Sequence, residues 1–417
     1  MAFACNLSGA DALRLFSWWR ISAWRMRRPA ALVATLSAVI GFAGCSNTLN
    51  LNSGDLSAAT AAAPATVDAN ALGTGDSKVA LVLPVSSTGN AGGAAVAMRN
   101  AAEMALAAFG SSNIQLLPKD DAGTAQGAQA AVQQAVDEGA QVVLGPLFAH
   151  SVTAAKPIAR NRGIPMIAFS TDSSVAAPGA YLLSFLPESE VDRVVAYAVS
   201  QGKRSFIGMV PASAYGSVAE GEFKQSVARR GGRVVAVERY GDDRNKIGDV
   251  ARSIAQSAAQ ADALFIPDGE SAGDVVVALT SAGVNLRQFA ILGTQLWDDP
   301  KVSANSQLEG AWYAGPDPAG FRAFADRYKS RYRDDPPRPA ALAYDAVSLI
   351  VSLVKAQPGQ RITNEVLTNP SGFAGTDGVF RFRNDGTNQR GLAILKVTPS
   401  GGQVLAPAVR SFGPSAT

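Results

Sequence analysis

The chain has 417 residues, with 37 Lys and Arg, 34 Asp and Glu, one His and two Cys. The formal charge of +3 is an N-terminal effect, because Arg14, Arg20, Arg25, Arg27 and Arg28 precede Cys45 against the single acid Asp11. The remainder is close to neutral, which excludes nucleic acid as a partner, since neutralising phosphates takes a basic face.

Arg25, Arg27 and Arg28 precede the apolar stretch Ala30 to Phe42, which runs into Ala43-Gly44-Cys45. A basic start, a short apolar middle and small residues at a cleavage point predict a secretory signal over 1–44. The apolar stretch is well short of the roughly 20 residues that span a bilayer. Met26 opens a conventional signal, and translation is expected to begin there. Cys45 after Ala-Gly resembles the bacterial lipobox. That resemblance implies lipidation of Cys45, anchoring in the membrane and, with Ser46 rather than Asp next, sorting to the outer membrane. Loss of the signal removes Cys5, so no disulfide is expected. Ser46 to Ser77 has no aromatic, no Lys or Arg and no apolar period. It reads, with Cys45, as a disordered tether over 45–77, with an end-to-end distance of roughly 30 Å.

From Lys78 the pattern changes. Val79 to Leu83 is a continuous apolar run, the mark of a strand buried on both faces. Helical spacing at Val96, Ala101, Ala105 and Phe109 predicts a helix from about Ala94. A strand at Ile114 to Leu117, a helix at Ala125 to Glu138 stopped by Gly139, and a strand at Val142 to Leu144 follow. A helix near Thr153 to Asn161 and a strand at Pro165 to Phe169 complete a first unit. In a second unit, strands at Phe206 to Val210, Val234 to Arg239, Ala263 to Pro267 and Phe289 to Leu292 alternate with helices at Val218 to Arg230, Ile247 to Gln256 and Ala272 to Ala282. Trp312 to Ala314 reads as a strand leaving this unit. Helices at Phe321 to Arg333 and Ala340 to Lys355 are expected to pack back on the first. Gly378 to Arg383 and Leu392 to Val397 read as a hairpin turning at Asn384-Asp385-Gly386.

The expected fold is α/β, with two lobes of parallel sheet flanked by helices. The lobes are 78–186 with 312–357 and 187–311 with 358–400, leaving 401–417 as a tail. Several chain crossings make a hinge, with a cleft between the lobes.

Ligands bind outside the carboxyl ends of parallel strands. The candidates there are Ser86 and Thr88, His150 in a loop, Ser170 and Thr171 in the first lobe, and Tyr215, Asp268 and Gln295 in the second. Hydroxyls and helix starts suit small anions. The same residue types are also ordinary helix N-caps, so both readings stand. Catalysis is not expected: His150 stands alone, and Gly-x-Ser-x-Gly is absent. One His and no free Cys give no metal site, and no cofactor is expected. Gly89, Gly92 and Gly93 lack both nucleotide-binding patterns and read as a turn with a close helix start. Asp120-Asp121 reads as a turn with a helix cap.

Val79-Ala-Leu-Val-Leu-Pro84, Lys119-Asp120-Asp121, Gln141 to Pro146, Gly163 to Ser170 and Ala214-Tyr215-Gly216 together resemble the periplasmic binding proteins for leucine, isoleucine and valine, over about Lys78 to Val397. The resemblance implies a type I Venus-flytrap fold and a small amino-acid-like ligand. It also implies a serine three residues after Pro146 for the ligand carboxylate, and an acid after Leu292 for its ammonium. This chain has Ala149 and Gln295 there. Losing a charge-assisted hydrogen bond costs roughly 1.5–3 kcal/mol, so ordinary zwitterion binding is not expected. Gly293-Thr-Gln-Leu-Trp-Asp-Asp-Pro300 resembles a segment of lipoproteins that activate penicillin-binding proteins. That resemblance implies a non-enzymatic envelope lipoprotein contacting a peptidoglycan synthase. The alternative is the substrate-binding lipoprotein of an ABC importer for amino acids or related molecules.

Overall fold

The computed structural model describes residues 70–413, except 111–112 and 242–243 and the side chains of 244–245. The signal, Cys45 and the tether as far as residue 69 lie outside the described residues. The end of the expected tether is structured. Leu72 exchanges backbone hydrogen bonds of 2.9 and 2.8 Å with Leu116 and packs on the first-lobe core. An isolated Leu carries no period, so this contact was invisible in the sequence.

In the first lobe, β1 (Ser77–Leu83), β2 (Ile114–Asp120), β3 (Val142–Leu144), β4 (Met166–Ala168) and β5 (Ala180–Leu182) form a parallel sheet in the order β2-β1-β3-β4-β5. The helices α1 (Gly89–Ala108), α2 (Ala125–Asp137) and α3 (Ala149–Asn161) alternate with its strands. Val79, Leu81 and Leu83 feed one core cluster and Ala80 and Val82 another, so β1 is apolar from Val79 to Leu83 because both its faces are covered there. α1 starts five residues before the apolar period does. A side chain at Gly92 would place its Cβ 1.8 Å from the Ser87 carbonyl, so only glycine lets the helix begin against that loop.

The second lobe runs α4 (Pro187–Ser200), β6 (Ser205–Pro211), α5 (Ala214–Arg229), β7 (Arg233–Tyr240), α6 (Arg244–Ala258), β8 (Ala263–Phe265), α7 (Ala272–Ser281), β9 (Ala290–Gly293), α8 (Pro300–Ser303) and β10 (Trp312–Gly315). The chain returns through α9 (Pro318–Tyr332), α10 (Pro339–Ala356), α11 (Asn364–Leu367), β11 (Phe373–Gly375), β12 (Gly378–Phe382) and β13 (Asn388–Arg390). It ends in β14 (Ala393–Thr398) and β15 (Gly401–Ala406). The second sheet has the order β15-β14-β10-β9-β8-β6-β7, with β14 and β15 antiparallel. In its core Phe223 stacks on Phe265 at 4.5 Å and meets Phe206 edge-to-face at 6.0 Å.

Four boundaries differ from the sequence reading. β10 belongs to the second sheet, between β9 and β14, because Tyr313 and Ala314 bury there rather than in the first lobe. The hairpin joins β12 to β13, not to the strand at 392–397, which pairs instead with β10 and β15. Residues 358–400 are divided: Leu367, Phe380 and Phe382 fill the first-lobe core, and only β14 serves the second. The expected tail contributes β15, which satisfies the outer edge of β14. The chain thus crosses between the lobes at 183–186, 316–317 and 391–392.

Candidate functional site

The first-lobe candidates share one sheet edge. Ser86 and Thr88 follow β1, His150 follows β3, and Ser170 and Thr171 follow β4. Ser86, Thr88, His150 and Thr171 are exposed. Ser170 is buried, and its Oγ accepts from the Asp172 N–H at 3.1 Å, which holds the turn after β4. His150 lies in the first turn of α3, not in a loop. Its Nε2 is 2.8 Å from the Gly123 carbonyl, and its ring stacks on Phe148. Asp120 and Asp121 accept from the Ala122 and Gly123 N–H groups, which makes the expected turn.

Two helix starts at this edge lack the usual cap. Thr88 of α1 and Phe148 of α3 make no side-chain cap bond, and neither helix has an acid in its first turn. Their end N–H groups and the positive ends of their dipoles are available to an anion.

The second-lobe candidates are tied into their own wall. The half-buried Tyr215 places its hydroxyl 2.8 Å from Thr294 Oγ1, which donates to the Pro267 carbonyl at 2.7 Å. Burial, then the nearby Glu190, push the phenol well above its usual range. Asp268 accepts from the Glu270 and Ser271 N–H groups, both at 3.1 Å, and from the Tyr240 hydroxyl at 3.4 Å. Its carboxylate is therefore engaged before any ligand ammonium arrives. The Trp297 indole donates to the Asp268 carbonyl at 3.3 Å and covers Gly293, where a Cβ would stand 2.2 Å from the ring. Gly293→Ala is therefore expected to lower stability by about 1–3 kcal/mol and to shift the indole fluorescence. Urea unfolding followed at the tryptophan band checks both.

Several deeply buried charges were missed in the sequence. Glu190, in the first turn of α4, is 3% exposed and accepts from the Gln295 N–H at 3.2 Å. Burial pushes its carboxyl up to about 8, against that bond and the positive charges of Arg338 and Arg390. Arg338 just ahead of α10 spans the lobes, donating to Asp298 at 2.9 Å and to Asp377 at 2.7 Å. Its guanidinium lies 4.4 Å from the Phe321 ring centre. Arg390 donates to the Ser184 carbonyl at 3.0 Å over the Phe185 ring. Asp345 accepts from the Thr376 N–H at 2.7 Å, and burial pushes it up to about 6. One signal was available: Glu188 and Glu190 open a helix directly after an apolar strand. Among the described residues, no three His, Cys, Asp or Glu side chains converge as metal ligands.

The family model for periplasmic binding proteins matches residues 77–403. A protein named Leu/Ile/Val-binding protein homolog 6, from Brucella abortus, is 26% identical over 267 residues, which are 60% of this chain and 68% of its own. An ABC transporter substrate-binding protein from Sphaerobacter thermophilus superposes with a TM-score of 0.66 at 18% identity, covering 81% of this chain and 97% of its own. A leucine-binding protein from Thermotoga maritima gives 0.58 at 18% identity, covering 82% and 100%. A solute-binding protein from R. palustris in complex with benzoate gives 0.59 at 20% identity, covering 81% and 98%. With its two parallel-sheet lobes and three crossings, the chain belongs to the periplasmic binding protein family, of the Leu/Ile/Val-binding type.

Proposed function

We propose that the protein is a periplasmic solute receptor that closes on a small carboxylate lacking an α-ammonium group and delivers it to an ABC importer. The observation that carries this is the pairing of unlike walls. The uncapped starts of α1 and α3 offer N–H groups to an anion, while Asp268 opposite is already held by three donors. Ser86, Thr88, His150 and Thr171 are the exposed polar contacts on the first wall, and Gln295 with Tyr215 lines the second. The family consists of substrate-binding proteins, which are not enzymes. A thermal-shift screen tests the reading with benzoate, short aliphatic carboxylates and leucine. A bound carboxylate at a hundred times its Kd stabilises the fold by about 2.7 kcal/mol. Leucine is expected to give no shift, and a leucine response as large as that of the best carboxylate sinks the proposal.

A second reading, contact with a peptidoglycan synthase as a penicillin-binding protein activator, is favoured by one observation. Leu296, within the Gly293 to Pro300 run, is 45% exposed although apolar. Affinity capture from solubilised envelopes, comparing the wild type with Leu296→Asp, separates the two readings. Loss of a captured synthase in the variant supports contact, and equal capture by both opposes it. Either reading is served by a lipid on Cys45 and an outer-membrane address. Labelled palmitate that persists in Cys45→Ala would refute the anchor.

A further inference from the structure

A cavity of about 700 Å³ opens on a different face of α4 from Glu190, between that helix, α5 and the β12–β13 hairpin. Five arginines line it: Arg193, Arg229, Arg381, Arg383 and Arg390. We propose that this cavity is a binding site, separate from the interlobe cleft, for a small organic anion with at least two acidic oxygens, a polycarboxylate or a phosphate ester.

The charges decide the ligand class. Three carboxylates also line the cavity: two are ion-paired with arginines, and Glu188 is held through one oxygen only, its second having no hydrogen-bond partner among the described residues. Asp192 and Glu222 hold Arg229 at 2.7 and 2.5 Å, and Asp192 also takes Arg230 at 2.9 Å. Glu188 accepts from the Ser173 hydroxyl. Among the described residues, neither Arg193 nor Arg383 is ion-paired with an acid. Arg193 is half-buried, and its Nε donates to the Leu392 carbonyl at 3.0 Å. Burial pulls its pKa down, as expected for a cation taken from water without a counter-charge. Arg383 is exposed, and its side chain makes no hydrogen bond or ion pair among the described residues. Arg381 is held at Gln389 and Pro370 and lies 4.7 Å from the Phe412 ring centre. Planar guanidinium forks match carboxylate and phosphate oxygens two at a time, and a neutral or cationic occupant would leave Arg193 uncompensated.

The position gives such a ligand a regulatory reach. α4 and α5 belong to the second lobe, whereas Phe380 and Phe382 of the hairpin region fill the first-lobe core. An anion bridging Arg193 and Arg383 therefore touches elements of both lobes at a crossing. Its affinity depends on the lobe angle, and by reciprocity it changes the affinity of the cleft.

Calorimetric titration of the full chain with citrate, inorganic phosphate and a sugar phosphate tests the site. At least one anion is expected to bind, and its identity assigns carboxylate or phosphate as the natural chemistry. Arg383→Gln and Arg193→Gln should each weaken that binding at least tenfold. Arg160→Gln on α3 should leave it unchanged, and the melting temperature of ligand-free Arg383→Gln should match the wild type. Absence of binding by all three anions overturns the proposal. So does binding that is lost in the cleft variant Thr171→Val but kept in Arg383→Gln.

Discussion

Arg338→Ala is expected to lower the free energy of unfolding by about 3–5 kcal/mol, which is what removing one partner from a buried ion pair costs. The Asp377 side chain is 0% exposed, and among the described residues its only ion pair is with Arg338 at 2.7 Å. Its second oxygen has no hydrogen-bond partner among those residues. Without that guanidinium, the buried carboxylate keeps only the positive charge of Arg390, with which it forms no ion pair among the described residues, or takes up a proton. The stacking on Phe321 is lost as well, worth about 0.5–2 kcal/mol. Asp298→Ala should cost much less, about 1 kcal/mol or under, because that carboxylate is 33% exposed and water can replace its bond. Equilibrium urea unfolding of both variants checks the contrast. Replacing the pair together, as Arg338→Met with Asp377→Leu, should recover most of the loss, since the penalty comes from the orphaned charge. A single-variant loss below about 1 kcal/mol would mean that the pair does not hold the lobes at this crossing.

That ion pair also shows where sequence reading stops. β3, β8 and the Val79 to Leu83 run of β1 were legible because both faces are covered, so every position in them is apolar. The strand ends followed, and with them the placing of Ser86, Thr88, His150, Thr171, Tyr215 and Gln295 just beyond those ends. What those residues bond to was not legible. Tyr215 meets Thr294 and Ser170 meets Asp172 through loops whose paths depend on packing. Arg338 meets Asp298 and Asp377 across 40 and 39 positions. Locally, each of these looks like an ordinary surface charge, and only the crossing geometry buries them together. The same limit explains the strand errors. β13 hides Asn388 and Arg390 beneath the crossing, so its inward face is polar and shows no apolar alternation. β10 and β15 are short strands whose sheet is chosen by long-range pairing, and their own residues do not name it.

Glu190 makes the stability of the protein depend on pH. Its folded-state pKa of about 8 lies above the ordinary value of 4.5, because burial penalises the charged form. A group raised in this way contributes stability fully below its unfolded pKa, and the contribution is lost as pH rises through the folded pKa. Unfolding free energy should therefore fall between about pH 4.5 and pH 8, by an amount on the order of 4 kcal/mol at 1.4 kcal/mol per pKa unit. Asp345, raised from 3.8 to about 6, adds to the fall in the lower part of that window only. Glu190→Gln separates the two. The amide keeps an acceptor for the Gln295 N–H and cannot ionise. The variant should match the wild type near pH 5 and exceed it at pH 8, with a flat profile above about pH 6. Urea midpoints taken from pH 5 to pH 8 read this directly, and a variant that keeps the wild-type slope between pH 6 and pH 8 would clear Glu190 of the effect. The consequence reaches the cleft, because the Glu190 oxygen that accepts the Gln295 N–H fixes the loop opposite the uncapped helix starts. Ionisation as pH rises through 8 puts a buried charge behind that loop, only partly offset by Arg338 and Arg390. Affinity for a carboxylate between the lobes should then decline as pH rises through 8 in the wild type, and not in Glu190→Gln.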